Sequence, residues 1–508
     1  MKLNMIFNTL SLAAVALFAT ACADTDAKYE IPDVAAPQFV SASLAQEAPI
    51  FIGETTIEVN FDQNINFASK NAAQITINGE PVDKAEVLGI SKTLTIKKDM
   101  PFSNTLALHI PANLVTNAQG KAYAQDLDQN FTTKALPSNN ATAVSQMLGW
   151  GWNLGNHFDT SGDAISQGWG YWDGVDILTA APFQTLANAG AKTVRMPATW
   201  TDHMDDNYTI KAEYLAEVAA AVDKALAAGL NVILNTHHDS FETDLGNAAT
   251  NEEAYKKDST IIVRLWDQVA SHFANYSDKL IFETFNEIHA GDNWSSGSDE
   301  EYALLNKWNQ WAVDAIRKTN PTRWIGVAGY AANIDMTIDH LTLPTDPANR
   351  IMVGMHCYDP YFFCTSPYDE SGNLIAPSWG HTATGTAADE LAVINQLYKM
   401  RTAYLENNIP CYLGEYGCGW RKTDKENAFR RYYLEFFCRA ANLAGIPMFI
   451  WDNNSKTAGT ESFGYIDHAT GEWLNDSETM VPTMIKACTS TDSSYTLGTI
   501  WDKAPTAE

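Results

Sequence analysis

The sequence predicts an α/β chain in which a (β/α)8 TIM barrel is preceded by a small all-β sandwich. From Leu148 onward an apolar strand, a turn and an amphipathic helix follow one another again and again, the alternation of a parallel barrel with its outer helices. Between Pro37 and Thr133 the texture is different: short alternating segments are separated by turn signals, with no competing helical period. The chain has 508 residues, 45% of them hydrophobic, which is more than one core usually holds and ample for well-packed domains.

The chain opens "MKLNMIFNTLSLAAVALFATAC": one Lys, an apolar stretch from Leu10 to Ala19, then small residues. This is the pattern of a bacterial secretion signal, so residues 1–21 are read as a signal peptide. Ala19-Thr20-Ala21-Cys22 resembles the lipobox of bacterial lipoproteins, which would make Cys22 the acylated mature N-terminus. The expected location is the outer membrane or surface of a bacterial cell, or the medium if the cut is an ordinary one. A lipid at Cys22 would be the chain's sole membrane attachment. A formal charge of -28 repels phosphate backbones, so no nucleic acid is expected and a neutral or cationic partner is. A monomer is expected.

The segments "TTIEVNFD", "QITING", "TLTIKK", "TLALHI" and "NFTT" are the sandwich strands, punctuated by Gly53, Asn78-Gly79 and Gln119-Gly120. With "VNFD" early and "QNFTT" last, residues 37–133 resemble a bacterial Ig-like module, here read as a spacer. "KALPSNNATA", residues 134–143, is the linker, and residues 144–490 form the barrel domain. Cysteines 357, 364, 411, 418, 438 and 488 show no C-x-x-C pair, which leaves disulfide bridges and buried free thiols both open.

The barrel strands are "LGWGWNLG", "KTVRMPAT", "NVILNTHH", "LIFETFNE", "RWIGVAG", "IMVGMHCY", "PCYLGEYG" and "IPMFIWDN". Between the second and third lies "AEYLAEVAAAVDKALAAG". There Leu215, Val218, Val222 and Leu226 repeat at three- and four-residue steps and Gly229 ends the helix. A doubly wound open sheet is the structural alternative, but no G-x-G-x-x-G follows the first strand.

In such a barrel the C-terminal strand ends share one site. Read in order they supply Arg195, His237 with His238, Asn286 with Glu287, His356 with Tyr358, Glu415 and Trp451. One strand-end carboxylate is often a helix cap. So many groups of catalytic type at one mouth are not explained that way. Glu287 and Glu415 come from the fourth and seventh strands, on opposing parts of the wall. Two facing carboxylates are what glycoside cleavage needs, one to protonate the leaving oxygen and one to attack or activate water.

The motifs "TVRMPATW", "NTHHD", "FETFNE", "GMHCYDP", "GEYG" and "IWDN" together resemble glycoside hydrolase family 5, and "GWGWNLGNHFD" is similar to the opening of its endoglucanase and xyloglucanase branch. The resemblance covers roughly residues 144 to 488. It implies a retaining endo-β-1,4-glucanase acting on cellulose-like or mixed-linkage β-glucan, with xyloglucan, mannan and xylan as alternative backbones. It implies Glu287 as acid/base and Glu415 as nucleophile, supported by Arg195, His237, Asn286, His356 and Tyr358. Asn286 would hold the sugar 2-hydroxyl, while Phe285 and Trp294 would give Glu287 a less polar setting. Trp451, His238, Asn156, Trp294 and Trp420 are the expected substrate contacts. The usual Asn-Glu-Pro is Asn-Glu-Ile here, which alters the loop toward the leaving-group side.

His237, His238 and Asp239 together resemble a metal site, but a further ligand and an H-E-x-x-H are missing, so neither metal nor cofactor is expected. "GDNWSSGSDEE" is read as a solvated acidic loop capping a helix rather than a calcium loop. A polysaccharide-binding protein with a dead barrel is the rival class; it would be expected to lack one of the two carboxylates.

Overall fold

The computed structural model describes residues 32–45, 51–133 and 140–506. The expected signal peptide, Cys22 and residues 134–139 of the expected linker lie outside the described residues.

The N-terminal unit is a sandwich of two antiparallel four-stranded sheets. One contains Phe39–Leu44, Phe51–Phe61, Thr93–Ser103 and Lys84–Glu86, the other Leu127–Thr132, Thr105–Ile110, Thr76–Ile77 and Glu80–Pro81. Alternation places its core: in "TLALHI" Leu106, Leu108 and Ile110 point inward against Ile57, Val59, Leu94 and Ile96. The module rests on the barrel's outer helices. Gly53 has a φ of +71°, and a Cβ there would lie 2.7 Å from Leu391 Cδ1, so the close approach requires glycine.

Eight parallel strands close the barrel. They are β1 (Trp150–Asn153), β2 (Thr193–Met196), β3 (Asn231–Asn235), β4 (Leu280–Glu283), β5 (Ile325–Asn333), β6 (Ile351–Cys357), β7 (Cys411–Tyr416) and β8 (Met448–Ile450). Pairing of β8 with β1, Ile450 opposite Trp152, completes the ring. Ile233, Ile281, Met352, Tyr412 and Phe449 fill the interior. Helix Asn140–Leu148 adds Val144 and Leu148 to that cluster. The linker expected over 134–143 is therefore shorter than anticipated, because Asn140 already begins this helix. At the other end the barrel domain runs past residue 490: helix Leu497–Trp501 returns to the body, and Trp501 stacks on His381 at 3.4 Å.

Strand β4 ends at Glu283, four residues before Glu287. Thr284 keeps one backbone bond to Gly326, and the chain then lifts so that Asn286 and Glu287 reach the mouth. The acidic loop after it caps a helix as expected: Ser298 and Glu301 form a reciprocal capping box on helix Asp299–Arg317. All six described cysteines are free thiols. No helix among the described residues is long and apolar enough to cross a membrane.

Candidate active site

Side-chain parity builds the floor. In "TVRM" Val194 and Met196 face the helices, so Arg195 points into the barrel. In "LIFE" Phe282 packs outward, and Ile281 and Glu283 point in. Arg195 lies level with Asn153 on β1, and Asn235 lies level with Glu283. The buried guanidinium donates from Nη2 to Glu283 Oε1 at 2.7 Å and from Nη1 to Glu415 Oε1 at 2.7 Å. It also donates to Asn153 Oδ1 and Asn286 Oδ1. Burial weighs against its charge, but Glu283 and Glu415 outweigh burial and raise its pKa. Burial likewise opposes ionisation of Glu283, and Arg195 with the Tyr412 hydroxyl, 2.6 Å away, reverses this and holds the carboxyl below its usual range.

Glu415 takes a second bond on its other oxygen from Tyr358 Oη at 2.9 Å, so both oxygens are oriented. His356 is the register partner of Glu415 across β6 and β7. Its Nδ1 lies 2.6 Å from Glu287 Oε1 and 3.9 Å from Glu415 Oε1. Ligand atoms of Glu287, His356 and Glu415 all fall within 4.8 Å of one another, so the two carboxylates face each other across that gap. Burial pushes Glu287 up to about 7, assisted by the charge of Glu242 and opposed by Arg195 and His238. Burial lowers His356 to about 4, with Glu415 opposing and Arg195 assisting.

The expected apolar setting of Glu287 is built differently. Phe285 lies beyond the end of β4, so it departs from the inward parity of Ile281 and Glu283 and packs outward on Phe241 and Trp308, and Trp294 stacks on His289 at 3.8 Å at the rim. Glu242 is the residue that sets this neighbourhood. Its Oε1 accepts from Asn286 Nδ2 at 3.2 Å, and its Oε2 lies 2.9 Å from His238 Nδ1. Against the pull of burial, Glu242 raises His238 to about 9. His237 is buried and neutral: burial first, then His238 and Arg195, push it well below the usual histidine value. It lies parallel to Trp451, ring centres 5.8 Å apart.

Above this floor opens a cleft of about 760 Å³ lined by Asn156, His237, His238, Glu287, Trp294, His356, Tyr358, Glu415 and Trp451. The structure thus gathers most of the residues expected at the site. Asn286 and Arg195 lie beneath it, 1% and 0% exposed. Trp420 departs from expectation. The turn after β7 carries it away from the cleft to a position beside Arg430, 5.4 Å from the ring centre, and its backbone N–H donates to Ser462. Phe463 takes the wall position instead, 5.8 Å from Tyr358.

Sequence reasoning missed Glu283, Tyr412, Asn235 and Glu242. A Glu two residues from Ile281 in an apolar strand shares its inward parity and demands a buried cation, so Glu283 was findable beside Arg195. Glu242 lies on a loop without periodicity and had no such signal. A second missed network joins the loops after β1 and β8: Asp173 Oδ2 meets His157 Nδ1 at 3.0 Å and His468 Nδ1 at 2.9 Å, and Trp152 Nε1 donates to Asp452 at 2.9 Å. Asp159, His237 and His238 also have metal-ligand spacing. Asp239 is not part of that group; its Oδ1 accepts the backbone N–H of Trp200 and Thr201.

Residues 155–457 match the family described as cellulase, glycosyl hydrolase family 5, and residues 33–133 match the bacterial Ig-like domain. The chain is 32% identical over 361 residues to endoglucanase A of Clostridium longisporum, covering 67% of this chain and 65% of that protein. It resembles the structure described as a native Bacteroidetes-affiliated GH5 cellulase linked with a polysaccharide utilization locus. That match has a TM-score of 0.67 and 36% identity, covering 73% of this chain and 98% of the other. It also resembles a GH5-4 broad specificity endoglucanase from Bacteroides salanitronis at TM-score 0.65 and 37% identity, covering 71% and 98% of the two chains.

Proposed function

The chain belongs to glycosyl hydrolase family 5 and is a glycoside hydrolase, and on that premise we propose that it is a retaining endo-β-1,4-glucanase with Glu415 as nucleophile and Glu287 as acid/base. One observation carries the stereochemistry: oxygens of the two carboxyl groups lie within 4.8 Å. Retaining pairs sit about 5–5.5 Å apart, and inverting pairs need about 6.5–9.5 Å to admit a water.

Glu415 is presented to the anomeric carbon by Arg195 Nη1 and Tyr358 Oη, one on each oxygen. Its attack forms the glycosyl ester as the C–O bond to the leaving sugar breaks. Glu287, raised to about 7, stays substantially protonated up to neutral pH and delivers that proton to the departing oxygen. The ester removes the negative charge of Glu415. Glu287, now ionised, takes a proton from the incoming water, and hydrolysis returns both groups to their starting state. Asn286 spends its Oδ1 on Arg195 and one N–H on Glu242, which leaves its second N–H for a sugar hydroxyl. Trp451, set parallel to His237, offers a flat face to the C–H side of a pyranose.

The test is reducing-end release from carboxymethylcellulose, barley β-glucan, xyloglucan, glucomannan and xylan, beside Glu415→Gln. Activity on β-1,4-glucan that vanishes in the variant supports the proposal; hydrolysis unchanged in the variant removes it. Proton NMR of the first-formed anomer checks retention. Export with lipid at Cys22 is part of the same proposal, supported by the signal pattern before it. Fatty-acid labelling of the cells, lost in Cys22→Ser, is the check. A monomeric state is checked by light scattering.

A further inference from the structure

Exposed aromatic rings are unevenly distributed on this molecule. Among the described residues the exposed Phe, Tyr and Trp side chains are Tyr171, Trp172, Trp294, Tyr361 and Phe362. Tyr171, Trp172 and Trp294 lie on loops after barrel strands and Tyr361 and Phe362 open the short helix after β6, all at the end where the cleft opens. Exposed apolar surface gathered at one mouth marks a binding surface rather than chance.

The rings divide into two groups. Tyr171 and Trp172 follow β1, and Trp172 lies 5.9 Å from His238. Trp294 follows β4, the strand that leads to Glu287, and Tyr361 and Phe362 follow β6. The acid must sit beside the departing oxygen, so the leaving half of the substrate extends over the β4–β6 side. Tyr361 and Phe362 are each 57% exposed, with ring centres 5.7 Å apart, and Tyr361 lines the cleft itself.

Their mounting is rigid. Phe363, the next residue, is buried against Tyr433 at 5.5 Å, with the Arg421 guanidinium 3.9 Å from its ring centre. Tyr433 Oη donates to Asp359 just before the helix Tyr361–Thr365. The pair is therefore held in solvent by a buried anchor, and binding a sugar over it loses little loop entropy.

We propose that Tyr361 and Phe362 form an aglycone platform that stacks on the neutral C–H faces of pyranose rings beyond the leaving-group position. This rests on the glucanase reading above and adds to it where the polymer is gripped. The platform favours long β-glucan chains over short glycosides whose leaving group is a single ring.

The experiment compares Tyr361→Ala/Phe362→Ala with the unaltered chain on barley β-glucan, cellohexaose and an aryl β-cellobioside. Expected is a fall of about tenfold in kcat/KM for the polymer. The aryl cellobioside should stay within about twofold, and cellohexaose cleavage should shift toward shorter leaving fragments. Equal losses on polymer and aryl cellobioside would show that the pair acts by supporting the catalytic loops, and no loss on either would show that it does not touch substrate; both overturn the platform alone. An unaltered chain inactive on every β-glucan overturns the glucanase reading, and the platform falls with it. Phe362→Ser alone, at an exposed ring, keeps the test open should the double variant unfold.

Discussion

Glu287 Oε1 and His356 Nδ1 lie 2.6 Å apart, within hydrogen-bond distance. Burial pushes the carboxyl up to about 7 and the imidazole down to about 4, so between those values the proton belongs to Glu287 and His356 is the neutral partner. A carboxylic acid that keeps its proton where most carboxyls have lost theirs is what an acid catalyst needs.

kcat/KM on β-glucan is expected to decline as pH rises through about 7, because the protonated form of Glu287 is the active one and is lost there. A pH profile of the free enzyme checks this. A rate flat from pH 6 to 9 would assign the acid elsewhere.

Tyr358→Phe removes the hydroxyl that bonds Glu415 Oε2 at 2.9 Å. A hydrogen bond to a charged group is worth about 1.5–3 kcal/mol, so kcat is expected to fall about 10- to 100-fold with the melting temperature little changed. Steady-state kinetics beside a thermal melt separate the two effects.

Glu283→Gln leaves the buried Arg195 with one carboxylate instead of two. Breaking a buried pair costs about 3–5 kcal/mol, which urea unfolding at neutral pH should register. Glu283 is held below its ordinary value of 4.5, so its share of stability is present above that pH and is lost as pH falls below it. The gap between parent and variant should narrow in acid; a constant gap would mean the loss is one of packing.

His468 is raised to about 9 by Asp173 and Asp452, against burial, from an ordinary value of 6.5. A raised folded-state value gives stability that is full below 6.5 and lost as pH climbs toward 9, here on the order of 3 kcal/mol. His468→Gln should be less stable than the parent at pH 6 and approach it at pH 9. His238, also raised to about 9, keeps part of the slope in the variant. Melts across that range decide it.

Strand-end residues were legible because barrel topology sends every strand's C-terminal end to one mouth. The TVRM, FNE and GEYG segments therefore point to Arg195, Glu287 and Glu415 from sequence order alone. Trp420 misled for a related reason: adjacency in sequence to Glu415 says nothing about the path after Gly417, where the chain turns toward Arg430.

By itself the sequence determined the barrel, the sandwich before it and the presence of Glu287 and Glu415 after the fourth and in the seventh strand, since periodicity is a local property carried by neighbouring residues. Only the tertiary structure decided that Glu283 and Glu415 share Arg195, that the charge of Glu242 raises Glu287, and that Tyr361 at the cleft and its neighbour Phe362 stand exposed. Those relationships join loops far apart in the chain, and their energies come from burial and charge proximity, which exist only once the barrel has closed.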